Sequence, residues 1–498
     1  MLIPVGMLLQ LSHPITCSTA AEFPMTDSRN CSESGHHRRE VLRAGLTGFT
    51  GLSLATVNRL RAAGTDRQTM NQEKTAIILV WLRGGCSHLD TFDPKPDAPS
   101  DYRGPFLPIQ TRVPGMELTE LLPRLARCSH RYSLLRSVAH DAGGHPAGSL
   151  RVLSGDPDRA DKPGPELPDW MTIASWQRRE TGRLIPSYVS VNPIDRYDSF
   201  VIAGPGYLSS AYEAFKVTGD PNHPDFKVPN IGLRNNEQAQ RLLQRSQLSS
   251  RLDRIQREID QSGAMEAVDS FESQALNLLT SPDARKAFDL SQETDDVRDR
   301  YGRNQWGQQC LMARRLVEAG VDVVATEFDG PLCGRVANWD DHAVNHHVFD
   351  AISYRAPFLD QAVSTLINDV YDRGLDRRVL VVVTGEFGRT PRISHVASSG
   401  GGIASGPKGT VQPGRDHWPR ANTMLFAGGG IRTGQVIGAT DRLGEDAIER
   451  RVSPQDFLAT IYRHLAIDYE HTSIVNFSGR PVPILTNGFA IPELSRVA

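Results

Sequence analysis

Blocks of apolar residues recur along the chain after residue 70, and polar segments separate them. Lys74–Leu82 contains a continuous apolar run, which is typical of a central parallel strand that is covered on both faces. Similar runs predict further strands at Ile185–Val191, Val321–Phe328, Arg378–Thr384 and Thr423–Ala427.

Segments of helical length lie between these runs. In Asn236–Gln261 four apolar residues are spaced by four, three and four positions, which places them on one helix face. Gln305–Ala319 and Val348–Tyr371 also predict helices, and Ser453–Leu465 begins with a Ser-Pro pair that is typical of an N-cap and a first helical residue. Strands that alternate with helices predict one α/β domain over residues 71–498, with a mostly parallel central sheet and helices on both faces.

The first part of the chain has the pattern of an export signal. Arg38 and Arg39 form a twin-arginine pair, followed by weakly apolar Ala44–Ala55 and by small residues at Ala62–Gly64. This order is typical of the bacterial twin-arginine leader, which carries folded proteins. We therefore expect residues 1–70 to be a leader and the protein to reach the periplasm or the extracellular space. The alternative is a short amphipathic helix with a chance arginine pair.

The composition of the chain limits the kinds of partner that we expect it to bind. The formal net charge of −3 gives no electrostatic footprint for nucleic acid. After the leader, no apolar run approaches the roughly 20 residues that span a bilayer, so we expect no transmembrane segment. Four cysteines remain after the leader and allow three pairings, between which the sequence does not choose.

Two long segments, Asp195–Lys227 and His395–Gly414, are Pro/Gly-rich loops flanked by core elements, so we expect one domain with long loops.

Histidines and carboxylates collect near the ends of the predicted strands. Ligands of such sheets bind beyond the carboxyl ends of the strands, and histidine with carboxylate suits zinc, manganese or iron. The segment that contains His88 and Asp90 also fits, by itself, a capped loop with solvated carboxylates. Together the segments predict one metal pocket with these ligands: His88, Asp90, Asp340, His342, Glu386, Asp416 and His417.

Two further residues are candidates for a catalytic role. His145 follows a Gly-Gly pair and directly precedes Pro146, where a helix is predicted to begin. A helix N-terminus carries partial positive charge and suits an anion or an activated nucleophile. The other interpretation of His145 is a helix cap. Arg389 could bind an anionic substrate through two parallel hydrogen bonds.

The motifs together resemble the domain of unknown function 1501 family. Besides the leader, the resemblance rests on GGCSHLDTFDPKP at Gly84–Pro96, WDDH at Trp339–His342, TGEFGRTP at Thr384–Pro391 and GRDHWP at Gly414–Pro419. These motifs recur in order across roughly residues 74–487. The family is grouped with alkaline phosphatases and sulfatases, so the resemblance implies an alkaline phosphatase-like, sulfatase-like fold and a two-metal pocket.

The sequence departs from the sulfatases at two positions. His145 stands where a Cys or Ser nucleophile is expected, and Glu386-Phe387 replaces an Asp-His pair. Three functions stay open. The first is a metal-dependent hydrolase of a phosphate or sulfate ester, small or part of a polysaccharide, in which zinc, manganese or calcium lowers the pKa of an attacking water. The others are phosphoryl transfer through a histidine and a non-catalytic binding protein. The oligomeric state is open too.

Overall fold

The computed structural model describes residues 74–179, 185–228, 281–330, 332, 338–402 and 404–496. The predicted leader and the predicted helix Asn236–Gln261 lie outside the described residues. By its internal contacts the chain forms a compact unit, Gln72–Ala498, that contains the sheet and both of its helical layers.

An eight-stranded sheet forms the centre of this unit. Its strands are β1 Ala76–Trp81, β2 Tyr132–Val138, β3 Tyr188–Val191, β4 Phe215–Val217, β5 Val323–Glu327, β6 Val379–Thr384, β7 Asn422–Gly428 and β8 Gln435–Ile437. They lie in the order β8-β2-β7-β6-β1-β5-β3-β4. Neighbours pair in parallel except at β7, which is antiparallel to both β6 and β2. The predicted mostly parallel sheet is confirmed.

Strand β1 lies between β6 and β5 and shows why its sequence is apolar throughout. Every residue of the strand is buried. Ile78 and Val80 face one hydrophobic core, whereas Ile77, Leu79 and Trp81 face the other. A strand with a core on each side has no solvated face, so the alternation of polar and apolar residues disappears.

Helices cover both faces of the sheet, as predicted. They are α1 Ser100–Arg103, α2 Pro123–Arg127, α3 His145–Ser154, α4 Trp170–Gln177, α5 Pro282–Phe288, α6 Asp295–Tyr301, α7 Gln305–Glu318, α8 Val348–Asp372 and α9 Pro454–His464. Helices α7 and α8 pack into the core that contains Ile78, and α3, α4 and α9 pack into the core that contains Ile77. Helix α9 begins at the predicted Ser-Pro pair, and Ser453 forms a capping box with Asp456.

Besides the central sheet, the described residues form short two-stranded antiparallel ribbons. They pair Pro108–Gln110 with Glu117–Thr119, Arg196–Tyr197 with Phe200–Val201, Gly388–Arg389 with His417–Trp418, Ser394–Ala397 with Val411–Gly414, Ala439–Thr440 with Ala447–Glu449, and Ser473–Val475 with Pro481–Pro483. In the third ribbon Arg389 lies opposite His417. The TGEFGRTP and GRDHWP motifs are thereby joined directly by backbone pairing.

The reversed direction of β7 decides which segments share one edge of the sheet. Segments that follow β2, β5 and β6 lie at the carboxyl edge. Because β7 runs the opposite way, the segment before it lies at that edge instead. His140 after β2, Asp340 after β5, Glu386 after β6 and His417 before β7 therefore face a common region.

The cysteines of the described residues lie inside the protein. Cys86, Cys128 and Cys310 are buried and free, and Cys333 lies outside the described residues. Burial raises the pKa of the Cys86 thiol to about 12.

Among the described residues, none of the helices has the length and apolarity needed to cross a membrane.

The stability of the fold should depend on pH through His464, at the end of α9. Burial lowers the pKa of this histidine to about 4 from an ordinary 6.5. The unfolded chain therefore binds a proton more readily, and the contribution to stability is full above pH 6.5 and is lost as the pH falls through 4. We expect His464→Gln to make the free energy of unfolding less pH-dependent, by up to about 3 kcal/mol between these values.

Urea denaturation at a series of pH values measures this difference. His395→Gln is the matched control, because His395 is exposed. Equal pH profiles for the wild type and His464→Gln would contradict the assignment.

Candidate metal centre

Three histidines and one aspartate converge at the carboxyl edge of the sheet. His145 is the first residue of α3 and follows β2, Asp340 and His342 follow β5, and His417 precedes β7. One ligand atom from each of the four lies within 4.8 Å of the others. In the part of the chain that the structure describes, this is the one cluster of its kind.

The distances inside the cluster fit a single ion. Asp340 Oδ1 lies 3.2 Å from the Nε2 atom of His145, 2.9 Å from that of His342 and 3.4 Å from that of His417. The Nε2 atoms of His342 and His417 are 2.9 Å apart. A tetrahedral zinc ion with bonds of about 2.0 Å has ligand atoms roughly 3.3 Å apart. The four side chains thus form a shell of suitable size.

The second ring nitrogen of each histidine is held by an oxygen. Each Nδ1 atom lies 2.7 Å from its acceptor: Glu386 Oε1 for His145, Asp416 Oδ1 for His342, and the Gly143 carbonyl for His417. Because carboxylate and carbonyl oxygens accept, Nδ1 is the donor and a neutral ring directs its Nε2 lone pair into the cluster. Histidines that bind metals are oriented in this way. His145 Nε2 is also buried without a hydrogen-bond partner.

The carboxylate of Asp340 is held in its charged form. Burial alone would raise its pKa, but the short contacts with His145, His342 and His417 and the charge of Arg389 bring the pKa far below its usual range. The charged oxygen is therefore present at any physiological pH. A carboxylate of this kind suits a metal ligand and not a general acid.

Burial and the nearby carboxylates also change the pKa values of the imidazoles. Burial lowers the pKa of His342, but its hydrogen bonds with Asp340 and Asp416 outweigh this effect and raise the pKa to about 9. The pKa of His417 is lowered, first by burial. Imidazoles at such short distances from one carboxylate attract a positive charge, which a proton or a metal ion can supply.

A tight glycine turn after β1 makes room for the cluster. Gly84 and Gly85 have φ angles of +97° and +79°, which favour glycine. A Cβ atom at Gly84 would lie 2.6 Å from the backbone nitrogen of Asp340. The backbone N–H of Gly84 donates to Glu386 Oε1 over 2.9 Å, so the turn also fixes the carboxylate that orients His145.

Arg389 lies inside the protein, behind Asp340. Its side chain is fully buried and donates to Asp340 Oδ1 over 2.6 Å. Its other N–H groups donate to the carbonyls of Gly84, Gly85 and Arg415. This position favours holding Asp340 over contacting a substrate oxyanion, the role that the sequence predicts for Arg389.

Four of the predicted ligands lie outside the inner cluster. Glu386 and Asp416 are one hydrogen bond farther out, behind His145 and His342. His88 places its Nε2 atom 2.9 Å from the Gly444 carbonyl, and burial lowers its pKa to about 4. Asp90 and Arg415 form a fully buried ion pair of 2.7 Å. His88 and Asp90 therefore hold loops beside the centre.

The structure also shows two partners that the sequence does not reveal. Asp161 accepts the N–H of Ala147 over 3.0 Å, so the chain itself supplies an anion to the first turn of α3. Tyr197 stacks on the ring of His145 with centroids 4.0 Å apart. The guanidinium of Arg83 lies over the tyrosine ring, 4.4 Å from its centroid. Asp161 comes from a loop and Tyr197 from a two-residue ribbon strand, where no sequence pattern marks them.

The fold and the cluster define the class: an α/β protein with a histidine–carboxylate centre that could hold a metal ion. The chain belongs to the family described as Protein of unknown function (DUF1501), whose model matches residues 74–494. The predicted family resemblance is therefore confirmed. No curated protein matches the chain.

Solved structures resemble the chain at low identity. The crystal structure of Ps i-CgsB in complex with k-i-k-neocarrahexaose is 10% identical, with 80% of this chain and 73% of that chain covered and a TM-score of 0.34. The PsFucS1 sulfatase from Pseudoalteromonas sp. is 11% identical, with 82% and 71% covered and a TM-score of 0.33. The phosphonate monoester hydrolase of Agrobacterium radiobacter is 12% identical, with 84% and 77% covered and a TM-score of 0.34.

The stability of the fold should depend on Asp341 of the WDDH motif. Asp341 forms a buried ion pair with Arg355, whose guanidinium lies 4.7 Å from the ring centroid of Trp339. Removing one partner of a buried pair leaves a charge without compensation, which costs about 3–5 kcal/mol. We expect Asp341→Asn to lower the free energy of unfolding by that amount in urea denaturation.

The control is Asp350→Asn, because Asp350 is 70% exposed and its only described ion pair is with His347. Its effect should stay below about 0.5 kcal/mol. An Asp341→Asn protein as stable as this control would show that the buried pair contributes little.

Proposed function

We propose that this protein binds a divalent transition metal through His145, Asp340, His342 and His417 and hydrolyses a phosphate or sulfate ester there. The observation that carries the proposal is the convergence of three imidazole Nε2 atoms on one ionised carboxylate. The support for ester chemistry is the resemblance of the motifs to a family grouped with alkaline phosphatases and sulfatases.

The donor set favours zinc among the ions considered. Three imidazole nitrogens and one carboxylate oxygen suit zinc, and manganese less well. Calcium takes six to eight oxygen ligands, and nitrogen donors are foreign to it. Calcium is therefore the least suitable ion for this cluster.

Each side chain of the centre has a distinct task in the proposed reaction. His145 serves as a ligand, since its Nε2 atom faces the cluster and its Nδ1 atom is bound to Glu386. Glu386 and Asp416 orient the rings, and Arg389 fixes Asp340. A divalent ion bound there supplies Lewis-acid polarisation of an ester oxygen and charge stabilisation in the transition state.

One side of the centre is open to an incoming ester. The side chains of His342 and His417 are 23% and 22% exposed, whereas Glu386 behind His145 is fully buried. A substrate would therefore approach past His342 and His417. The buried side, with Arg389 and the glycine turn, keeps the ligands fixed during the reaction.

A second candidate function is metal binding without catalysis. Four protein ligands already satisfy a tetrahedral ion, which is typical of structural zinc sites, whereas catalytic zinc usually keeps one position open. The histidine at the position of the sulfatase nucleophile also favours this alternative. Both functions require the same metal cluster, so metal content and turnover must be measured together.

The metal cluster predicts the behaviour of single variants. We expect the purified full-length chain to carry about one zinc ion, and His417→Ala to lose it, because one of four ligands is removed. Asp416→Asn should keep the ligand set but weaken zinc binding about 10–100-fold, since it loosens the orientation of His342. Elemental analysis and competition with a chromogenic chelator measure both effects.

Turnover of p-nitrophenyl phosphate and p-nitrophenyl sulfate then separates the two functions. The zinc-loaded wild type should hydrolyse one of them, and His417→Ala should not. The control His471→Ala should retain metal and activity, because His471 is exposed and bonded to Asp468. Zinc-loaded wild type that hydrolyses neither ester would leave the non-catalytic function, and a wild type without metal affinity would refute both.

We also propose that the chain leaves the cytoplasm by the twin-arginine route, which the sequence of its leader supports. Changing Arg38 and Arg39 to lysine should retain the precursor inside the cell, since the route recognises the arginine pair. Cell fractionation and immunoblotting measure the distribution. The control changes Arg59 and Arg61 of the same leader to lysine, and normal export of the Arg38/Arg39 variant would contradict the proposal.

A further inference from the structure

A cavity of about 470 Å³ opens at the edge of the sheet opposite the metal centre. It is lined by five arginines and one aspartate: Arg112, Arg124, Arg127, Arg131, Arg300 and Asp372. We call this cavity the arginine pocket. Its volume lies within the range of about 300–1,000 Å³ that is usual for small-ligand sites.

Strand β2 separates the two sites. Arg131 directly precedes the strand, whereas His145 follows it. The strand has seven residues, which span roughly 20 Å at about 3.3 Å per residue. The arginine pocket is thus a different place from the metal centre, and it lies at the amino edge of the sheet.

Most of the arginines in the pocket have no direct ion-pair partner among the described residues. Arg131 pairs with Asp372 over 3.1 Å and also donates to Asn368 Oδ1 over 2.8 Å. The guanidinium groups of the other four arginines form no ion pair with any described residue: Arg112, Arg124, Arg127 and Arg300. This concentration occurs in a chain whose formal net charge is −3.

Neighbouring groups experience this positive field and add polar surface. Burial and the charges of Arg112 and Arg131 lower the pKa of His130, which also lines the cavity. The nearby carboxylate of Asp360 accepts the backbone N–H groups of Arg124 and Leu125 over 2.9 and 2.7 Å. Burial raises the pKa of Asp360 to about 6, although the charges of Arg124 and Arg127 oppose this shift.

We propose that the arginine pocket binds a multivalent oxyanion, a ligand with at least two phosphate or sulfate groups. Guanidinium groups bind such oxyanions through pairs of parallel hydrogen bonds. Arginines from a loop, from α2 and from α6 line this one cavity. A ligand with several negative charges can therefore contact more than one guanidinium at a time. A free polyphosphate and a sulfated sugar share this chemistry.

Calorimetric titration of the full-length chain tests the proposal with two probes, inorganic tripolyphosphate and a disulfated disaccharide. We expect one probe to bind at least tenfold more tightly than inorganic orthophosphate, and its affinity to fall as salt rises. The double variant Arg127→Gln/Arg300→Gln should weaken binding at least tenfold. The tighter probe identifies the source of the ligand.

Two controls separate this site from other effects. Arg480→Gln removes an exposed arginine outside the pocket and should bind like the wild type. His417→Ala removes a ligand of the proposed metal centre, so tight probe binding that persists in this variant belongs to the arginine pocket and does not depend on the proposed hydrolase. The probe should raise the Tm of the wild type but not that of the double variant.

Either of two results would overturn the proposal. One is binding of both probes no tighter than that of orthophosphate. The other is equal affinity in the wild type and in a double variant whose Tm without probe equals that of the wild type. If the double variant fails to fold, the single variant Arg127→Gln must show weaker binding.

Discussion

The carboxylate of Asp340 is the group on which the geometry of the centre depends. A buried charge needs compensation, and here it comes from Arg389 on one side and three imidazoles on the other. Arg389 in turn ties down carbonyls from the glycine turn and from the segment before His417. His145 and His417, which are far apart in the sequence, thereby meet at one oxygen atom.

The sheet makes this convergence possible because of its one reversed strand. A sheet with β7 in the common direction would place His417 at the amino edge, away from Asp340. The observed reversal brings the segment before β7 to the same edge as the segments that follow its neighbours. The ribbon between Gly388–Arg389 and His417–Trp418 then sets the distance between two of these segments.

Continuous apolar runs predict most of the central sheet, but they do not predict β2. Polar residues interrupt that strand, yet almost all of it is buried. Ser133 and Ser137 donate to backbone carbonyls of Arg432 and Arg450, and Arg136 lies 3.3 Å from a carboxylate oxygen of Asp93. These partners are distant in the sequence, so the pattern of the strand alone gives no sign of its burial.

The residue types of the site are predictable from the sequence, whereas their order around an ion is not. Histidine and carboxylate at strand ends indicate a metal pocket. Whether a carboxylate binds an ion or orients an imidazole depends on a few ångströms of backbone position, which motif spacing does not record. Asp340 lies among the Nε2 atoms, and Glu386 lies behind one ring at its Nδ1 atom.

The carboxylates behind the imidazoles have a consequence for charge balance. As carboxylates, Asp340, Glu386 and Asp416 together bring three negative charges, and the positive charge of Arg389 balances one of them. With neutral imidazoles, the groups that touch the cluster leave two negative charges. A divalent ion bound at the proposed centre would bring this inventory to neutrality, whereas a monovalent or trivalent ion would leave a residual charge. The charges of the surrounding side chains therefore favour a divalent ion at the proposed centre.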